Sequence, residues 1–377
     1  MTDSHEVPLS KPWFDDEEPR VAAEVVRSEQ LIAGPSVREF ERQFGARLDG
    51  VAAVAVNSGS SALLVALAAL GVGPGDEVLV PDMTFVSTAS AAMFLGARPV
   101  FVDIRLDNYC MDPKDAERKV TPRTKVVIPV HYAGHAADMD ELMEIARRHG
   151  LRVLEDAAES HLARYRASAY TGTIGHGAIF SFTPSKPMTT GEGGMIVTAD
   201  PELAARCRLL RDFGDTAKFR WDLLGFNFRM PEVMGAIGLA QLRKLDRAVA
   251  LRRAVAARYT EAFQRDGAVI PPTLRTPEDG NFQLYTIRLR TDLLAVDRDA
   301  VIRQLAARGV ASRLYYPPLH GQKVFAENER RTKDTDMPNA MEFGRTALSL
   351  PIFPTLSMEQ QNHVIAVLHD TLRANRR

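Results

Sequence analysis

Apolar and polar positions along the chain change period again and again, and each change predicts an element. An apolar run at 51–56 predicts a strand, and 62–70 is apolar on every side, as only a buried helix is. Strands are predicted at 77–80, 99–103 and 125–130, with a helix over 87–95. An amphipathic helix over 138–149 opens on Asp138 as its cap and stops at Gly150. The strand of Val153 and Leu154 then ends in Glu155 and Asp156. Two further apolar strands, 178–182 and 195–198, flank a glycine-rich turn. A helix capped by Asp200 follows to Leu210, and another starts at Glu232 and runs to about Ala257 or beyond. Before all of these, 18–44 reads as helix in two pieces, broken at Ala33-Gly34-Pro35.

Strand followed by helix, repeated, predicts an α/β fold with a mostly parallel central sheet covered by helices on both faces. A smaller C-terminal α/β unit follows: strand 283–290, helix 297–308 stopped by Gly309, strand 310–314, and a last helix from Ser357, where Gln360 completes a capping box. The expected division is a large domain over 1–250, with the N-terminal segment, and a small domain over 251–377. The boundary is placed by the long helix and the proline-rich stretch 270–281.

Composition narrows the function classes. At 377 residues the chain is too long for one small core. A net charge of -1 argues for neither a nucleic-acid nor a membrane partner. Two cysteines far apart, Cys110 and Cys207, read as free thiols in a reducing cytoplasm. The first residues lack the basic start and apolar core of a signal peptide. No uncharged apolar run reaches membrane-spanning length, because 51–71 is interrupted by Asn57-Ser58-Gly59-Ser60-Ser61. Gly71-Val72-Gly73-Pro74-Gly75 follows a helix with the wrong spacing for a dinucleotide fingerprint, so it reads as a helix stop. His131 and His135 lack the glutamate of a zinc-binding HExxH, and no metal site is expected.

The candidate chemistry centres on Lys186, between two apolar strands in Thr-Pro-Ser-Lys-Pro-Met-Thr-Thr-Gly-Glu-Gly-Gly. A lysine so held can serve as a Schiff-base nucleophile toward an aldehyde, or the stretch is only strand, loop and strand. Three upstream features decide between them. The small-residue turn 58–61 opens a buried helix whose amino end either receives an anion or is merely capped by serine. Phe85 at a strand end is core filling or a flat stacking surface, and Asp156 is a carboxylate on the rim where parallel sheets bind ligands. An anion cup, a ring surface, a carboxylate for a ring nitrogen and an amine for an aldehyde are the four requirements of pyridoxal 5'-phosphate.

At the level of motifs, NSGSSALLVAL, VPDMTF, FVDI, EDAAES, SFTPSKPMTTGEGG and GFNFRMPEVMGAIGLAQLRKLD together resemble the DegT/StrS family of sugar aminotransferases, from about Pro8 to Leu372. The resemblance implies an aspartate-aminotransferase-like fold of fold type I. It also implies a homodimer with active sites at the subunit interface, and transfer of an amino group from glutamate or glutamine to a keto-sugar linked to a nucleotide. By the same resemblance, Lys186 forms the imine and shuttles protons, and Asp156 binds the ring nitrogen. Phe85 and Ala158 sandwich the ring; Ser60, Ser61 and Ser181 hold the phosphate; Asn227 reaches it from the other subunit. Arg229, Tyr316 and His320 are implied at the acceptor side, His320 touching substrate or capping a loop. By the same resemblance, Asn227-Phe228-Arg229-Met230 followed by an aliphatic, glycine-containing helix leans toward amination at carbon 4. A keto-cyclitol acceptor is the alternative, and a non-catalytic regulatory protein a further one. The family's dehydratases carry histidine at the lysine position, which Lys186 argues against.

Four positions depart from the family pattern: Glu159, Leu162, Pro187 and Phe213. Glu159 stands where Gln or His is common beside the cofactor's phenolic oxygen. A carboxylate there must be protonated, turned away or compensated by a nearby cation.

Overall fold

Among the described residues of the computed structural model (6–32, 34–273, 279–326 and 336–377), seven strands make the central sheet. They are β1 (Ala52–Val56), β2 (Glu77–Pro81), β3 (Arg98–Val102), β4 (Thr124–Val127), β5 (Arg152–Asp156), β6 (Gly177–Ser181) and β7 (Gly194–Thr198). Their order across the sheet is β1-β7-β6-β5-β4-β2-β3. β7 runs antiparallel to both of its neighbours, and the other pairings are parallel. Every residue of β2, β6 and β7 is buried, which is why these strands read as continuous apolar runs.

The covering helices are α1 (Glu17–Ser28), α2 (Pro35–Arg47), α3 (Gly59–Ala69), α4 (Val86–Phe94), α5 (Met139–His149), α6 (Pro201–Arg211) and α7 (Glu232–Phe263). α3 is apolar on all sides because it is packed on all sides, only Ser60 being exposed. α6 is capped as expected, the Asp200 carboxylate accepting from the amides of Glu202 and Leu203. α2 packs closely on α7 because Gly235 and Gly238 lack side chains. A Cβ at Gly235 would stand 2.8 Å from the Val37 backbone, and one at Gly238 2.7 Å from the Phe40 ring. No helix among the described residues is long and apolar enough to cross a membrane.

The 32 residues of α7 connect two apolar clusters. Leu242, Leu245 and Val249 pack with Phe40, Phe44, Phe180 and Phe182. Nearly two turns on, Val255, Tyr259 and Phe263 enter a second cluster, built on the sheet of β8 (Val269–Ile270), β9 (Tyr285–Leu289) and β10 (Ala347–Leu350). The helices α8 (Arg298–Ala307), α9 (Pro338–Thr346) and α10 (Met358–Ala374) belong to this part of the chain. Val7, from the start of the chain, is also buried in the second cluster. The capping box at Ser357 and Gln360 is formed as expected.

Three expectations are corrected. The strand expected at 310–314 is absent. Val310 bridges to Val7 and Arg313 to Ser349, so the segment divides its hydrogen bonds between two partners and builds no ladder. Its place in the sheet is taken by β10, following α9. Asp138 does not cap α5 with its side chain; the buried carboxylate accepts from Asn108 and lies 3.5 Å from Arg105. The break between the first two helices is wider than expected and begins at Glu29, which is left-handed (φ 59°). Ala33 within that break, and 274–278 of the proline-rich stretch, lie outside the described residues.

Candidate active site

Because β1, β2, β5 and β6 all point the same way, their carboxyl ends deliver four loops to one edge of the sheet. These loops enclose a cavity of about 240 Å³. After β1, Ser58 caps α3, its hydroxyl accepting from the Ser61 amide at 3.1 Å. The open first turn of α3 forms one end of the cavity, where backbone N–H groups and the positive end of the helix dipole favour an anion. The Ser60 hydroxyl lies 2.6 Å from that of Ser87, and both residues line the wall. Ser181, at the end of β6, packs so closely under Gly59 that a Cβ there would meet it at 2.9 Å. Ser61 is not in the wall, its hydroxyl turned to Ser58 at 2.9 Å.

After β5, Asp156 faces the same cavity with 5% of its surface exposed. Burial raises its carboxyl above the usual range, against hydrogen bonds that favour the ionised form. Thr88 of α4 donates to Oδ2 at 2.8 Å, and the amide of Ala158 donates to Oδ1 at 3.2 Å. The Thr88 hydroxyl is itself 3.0 Å from that of Thr84. Beneath this point Glu155, fully buried, accepts from the amides of Gly172, Ile174 and Gly175 and pairs with His131 Nε2 at 2.8 Å. His131 Nδ1 accepts from the Ala137 amide, so the imidazole is engaged at both nitrogens. Phe85, 52% exposed, and Ala158 also line the cavity.

After β6, the Lys186 amide donates to the Thr183 carbonyl at 3.0 Å, closing a turn with Pro184 in the position that favours its fixed φ. The turn is anchored from behind by Arg252 of α7, which is 1% exposed and reaches the Ser185 carbonyl at 3.5 Å. The same guanidinium donates to the carbonyls of Phe282, Gln283 and Ile352. Desolvation lowers its pKa to about 10, so it remains charged at neutral pH.

Lys186 Nζ donates to Glu159 Oε1 at 3.2 Å. The Tyr316 hydroxyl donates to the same oxygen at 2.9 Å, and the Ala133 amide to Oε2 at 2.8 Å. Tyr316 is 5.7 Å from Phe85, ring to ring.

Besides Ser61, three expected residues are not brought to the wall of this cavity within one chain. His320 donates its amide to Asp82 Oδ1 and sets Nδ1 2.6 Å from Asp82 Oδ2, so it ties a loop to the end of β2. Asn227 and Arg229 lie together outside, Arg229 Nε donating to Asn227 Oδ1 at 3.3 Å, with Asp212 at 3.3 Å and the Phe213 ring under the guanidinium. Thr88, Arg252 and Tyr315, on the other hand, were not anticipated. Thr88 had a legible signal: it lies in the first turn of a helix that opens just after a strand end, where a parallel sheet binds ligands.

A buried carboxylate, an amine, an aromatic face and a helix amino end around one space fit the four requirements of pyridoxal 5'-phosphate. The sequence matches the model of the DegT/DnrJ/EryC1/StrS aminotransferase family over residues 13–369. The chain belongs to this family. It is an aminotransferase, and its cofactor is pyridoxal 5'-phosphate. GDP-perosamine synthase of Caulobacter vibrioides is 38% identical over 99% of this chain and 100% of its own length. The dTDP-3-amino-3,4,6-trideoxy-alpha-D-glucose transaminase of Streptomyces venezuelae is 39% identical over 92% of this chain and 90% of its own. Among solved structures, S. venezuelae DesV in complex with a ketimine intermediate superposes with a TM-score of 0.90 at 37% identity, covering 97% of this chain and 98% of that one. The aspartate-aminotransferase-like α/β fold of fold type I is thereby established.

Proposed function

We propose that this aminotransferase moves an amino group from glutamate or glutamine to the keto group of a nucleotide-linked sugar, with carbon 4 favoured as the acceptor. The observation that carries the reading is that Lys186 and Asp156 line one cavity with the amino end of α3. Bound there, the cofactor supplies an aldehyde for amine exchange and a ring that accepts electrons. Asp156 would hold the proton on the ring nitrogen, oriented by Thr88 and Ala158. Phe85 and Ala158 would flank the ring, and the first turn of α3 with Ser60, Ser61 and Ser181 would hold the phosphate, Ser61 by its amide. Lys186 Nζ is the base that takes and returns a proton at substrate carbon. Tyr316 would border the acceptor, with His320 acting through Asp82 to place that segment.

Relatives named for GDP-, dTDP- and UDP-linked products or substrates support a nucleotide-linked acceptor. Carbon 4 rests on the loop 227–230 and the aliphatic helix that follows it; one relative named for a 3-amino sugar and one named a 3-aminotransferase are 39% and 40% identical. Asn227 and Arg229 lie outside their own chain's cavity, which supports a homodimer in which each copy completes the other's site. We further infer that the division between a large and a small domain falls within α7, where its contacts pass from one apolar cluster to the other.

The deciding experiment gives the cofactor-loaded protein glutamate or glutamine and follows conversion to the pyridoxamine form by absorbance. No half-reaction with any amino donor defeats the transferase reading. A panel of 4-keto and 3-keto nucleotide sugars and keto-inositols then sorts the acceptor. Preferred turnover of a 3-keto sugar or a keto-inositol overturns the carbon-4 assignment.

A further inference from the structure

The Glu159 carboxylate is 5% exposed and takes donors from three separate segments. The Ala133 amide reaches Oε2, while Tyr316 and Lys186 share Oε1. A buried carboxylate stripped of its partners is costly, so the number of donors matters. When Lys186 is engaged by the aldehyde, the Tyr316 hydroxyl and the Ala133 amide still satisfy Glu159. When Lys186 is released, its amine finds an acceptor 3.2 Å away.

We propose that Glu159 is the dock of the free Lys186 amine and that Tyr316 is the positioning residue that keeps the dock in place. This rests on the reading of the cavity given above and deepens it. Tyr316 is suited to the task because burial and the neighbouring carboxylate raise its phenol well above the usual range, so it remains a donor. Its segment is held as well: the buried Tyr132 hydroxyl donates to the Tyr315 carbonyl and lies 3.1 Å from the Thr286 hydroxyl of β9. The dock therefore joins the turn after β4, the turn after β6 and the segment following α8.

A dock for the free amine favours the state in which Lys186 is released. That state is present with pyridoxamine 5'-phosphate and absent with pyridoxal 5'-phosphate. The test is a double-mutant cycle on the dissociation constants of the two cofactor forms, read by fluorescence titration of purified apoprotein. Glu159→Gln keeps the shape of the side chain and an oxygen for Ala133. It is expected to shift the ratio of the two constants about tenfold or more toward the pyridoxal form when Lys186 is present. In a Lys186→Ala background the same exchange is expected to shift it by less than about twofold. Equal shifts in both backgrounds, or none with Lys186 present, overturn the dock. Glu159→Asp, which withdraws the charge by one methylene, is the second variant and is expected to move the ratio the same way. If neither form binds the wild-type protein, the cofactor reading of the cavity fails, an outcome distinct from failure of the dock.

Discussion

Replacing Thr88 by Val removes one hydroxyl and leaves the volume of the side chain nearly unchanged. That hydroxyl donates at 2.8 Å to Asp156 Oδ2 in a fully buried position. A hydrogen bond to a charged group is worth about 1.5–3 kcal/mol. Losing it should push the Asp156 carboxyl, already raised by burial, further upward. An aspartate that ionises less readily holds the ring nitrogen's proton less well, and the ring becomes a poorer electron acceptor. If the whole loss appears in the barrier, the half-reaction with glutamate slows about 10- to 100-fold. Stopped-flow absorbance of the loaded enzyme measures this, with cofactor affinity by fluorescence beside it. Thr88→Ser, which restores the hydroxyl, should recover most of the rate. Thr84→Val, which removes only the outer hydroxyl of the pair, should cost less than about tenfold, since a neutral hydrogen bond is worth about 1 kcal/mol. A Thr88→Val enzyme with wild-type rate and affinity would refute the claim that this hydroxyl tunes Asp156.

Further outcomes are expected. Lys186→Ala and Asn227→Ala should each be inactive, yet co-refolded together they should recover about a quarter of wild-type activity, because in a twofold dimer half the molecules are hybrids with one intact site; no recovery argues against Asn227 serving the other subunit. Leu162 is left-handed (φ 56°) and 8% exposed, so Leu162→Gly relieves about 1–2 kcal/mol of backbone strain but removes a packed side chain worth about 3 kcal/mol or more. A net fall in the thermal midpoint is expected, and a rise would refute the weighting. Burial lowers His135 to about 4 and His161 to about 3, both below the ordinary value of 6.5, so the unfolded chain binds more protons in this window. The stability these groups support is complete above pH 6.5 and is lost as pH falls; between pH 6.5 and 5 the loss is about 3 kcal/mol for the pair. Urea midpoints across that range measure it, and a double exchange of both histidines to Phe should flatten the slope.

What was legible in the sequence follows from how each element is stabilised. The central strands could be found because strands covered on both faces must be apolar throughout, and α3 because a helix packed on all sides shows no polar face. α9 and β10 were missed because Ala347–Leu350 is four residues long and directly follows a helix, with no turn residue to mark the change. What fixes α9 lies far away in sequence. The buried Asp103 carboxylate at the end of β3 accepts from the amides of Asn339 and Ala340 in its first turn. The motif FVDI was visible, but its partner 236 or 237 residues later was not.

The site divides in the same way. Lys186, Asp156, Phe85 and Ser60 could be named because each sits where a strand ends, which is where a parallel sheet binds. For Glu159 the sequence left three alternatives, a protonated carboxyl, one turned away or one compensated by a nearby cation; the fold sets Lys186 beside it, in keeping with the third. That answer depends on Ala133 and Tyr316, 26 and 157 residues away, holding the carboxylate in the lysine's path. Pro187 acts on the backbone of the same lysine. Thr183 and Lys186 close a turn, and the residue after a turn decides where the lysine backbone goes next. Proline disfavours the helical conformation for the residue before it, which biases the Lys186 backbone against continuing the turn as helix. Pro187 is buried and has no amide to satisfy there, so this restraint costs no hydrogen bond. Arg252 grips the carbonyl of Ser185, the residue before the lysine, and Pro187 restricts the chain on the other side. The freedom left to Lys186 is that of its side chain, whose two destinations are the cofactor and Glu159.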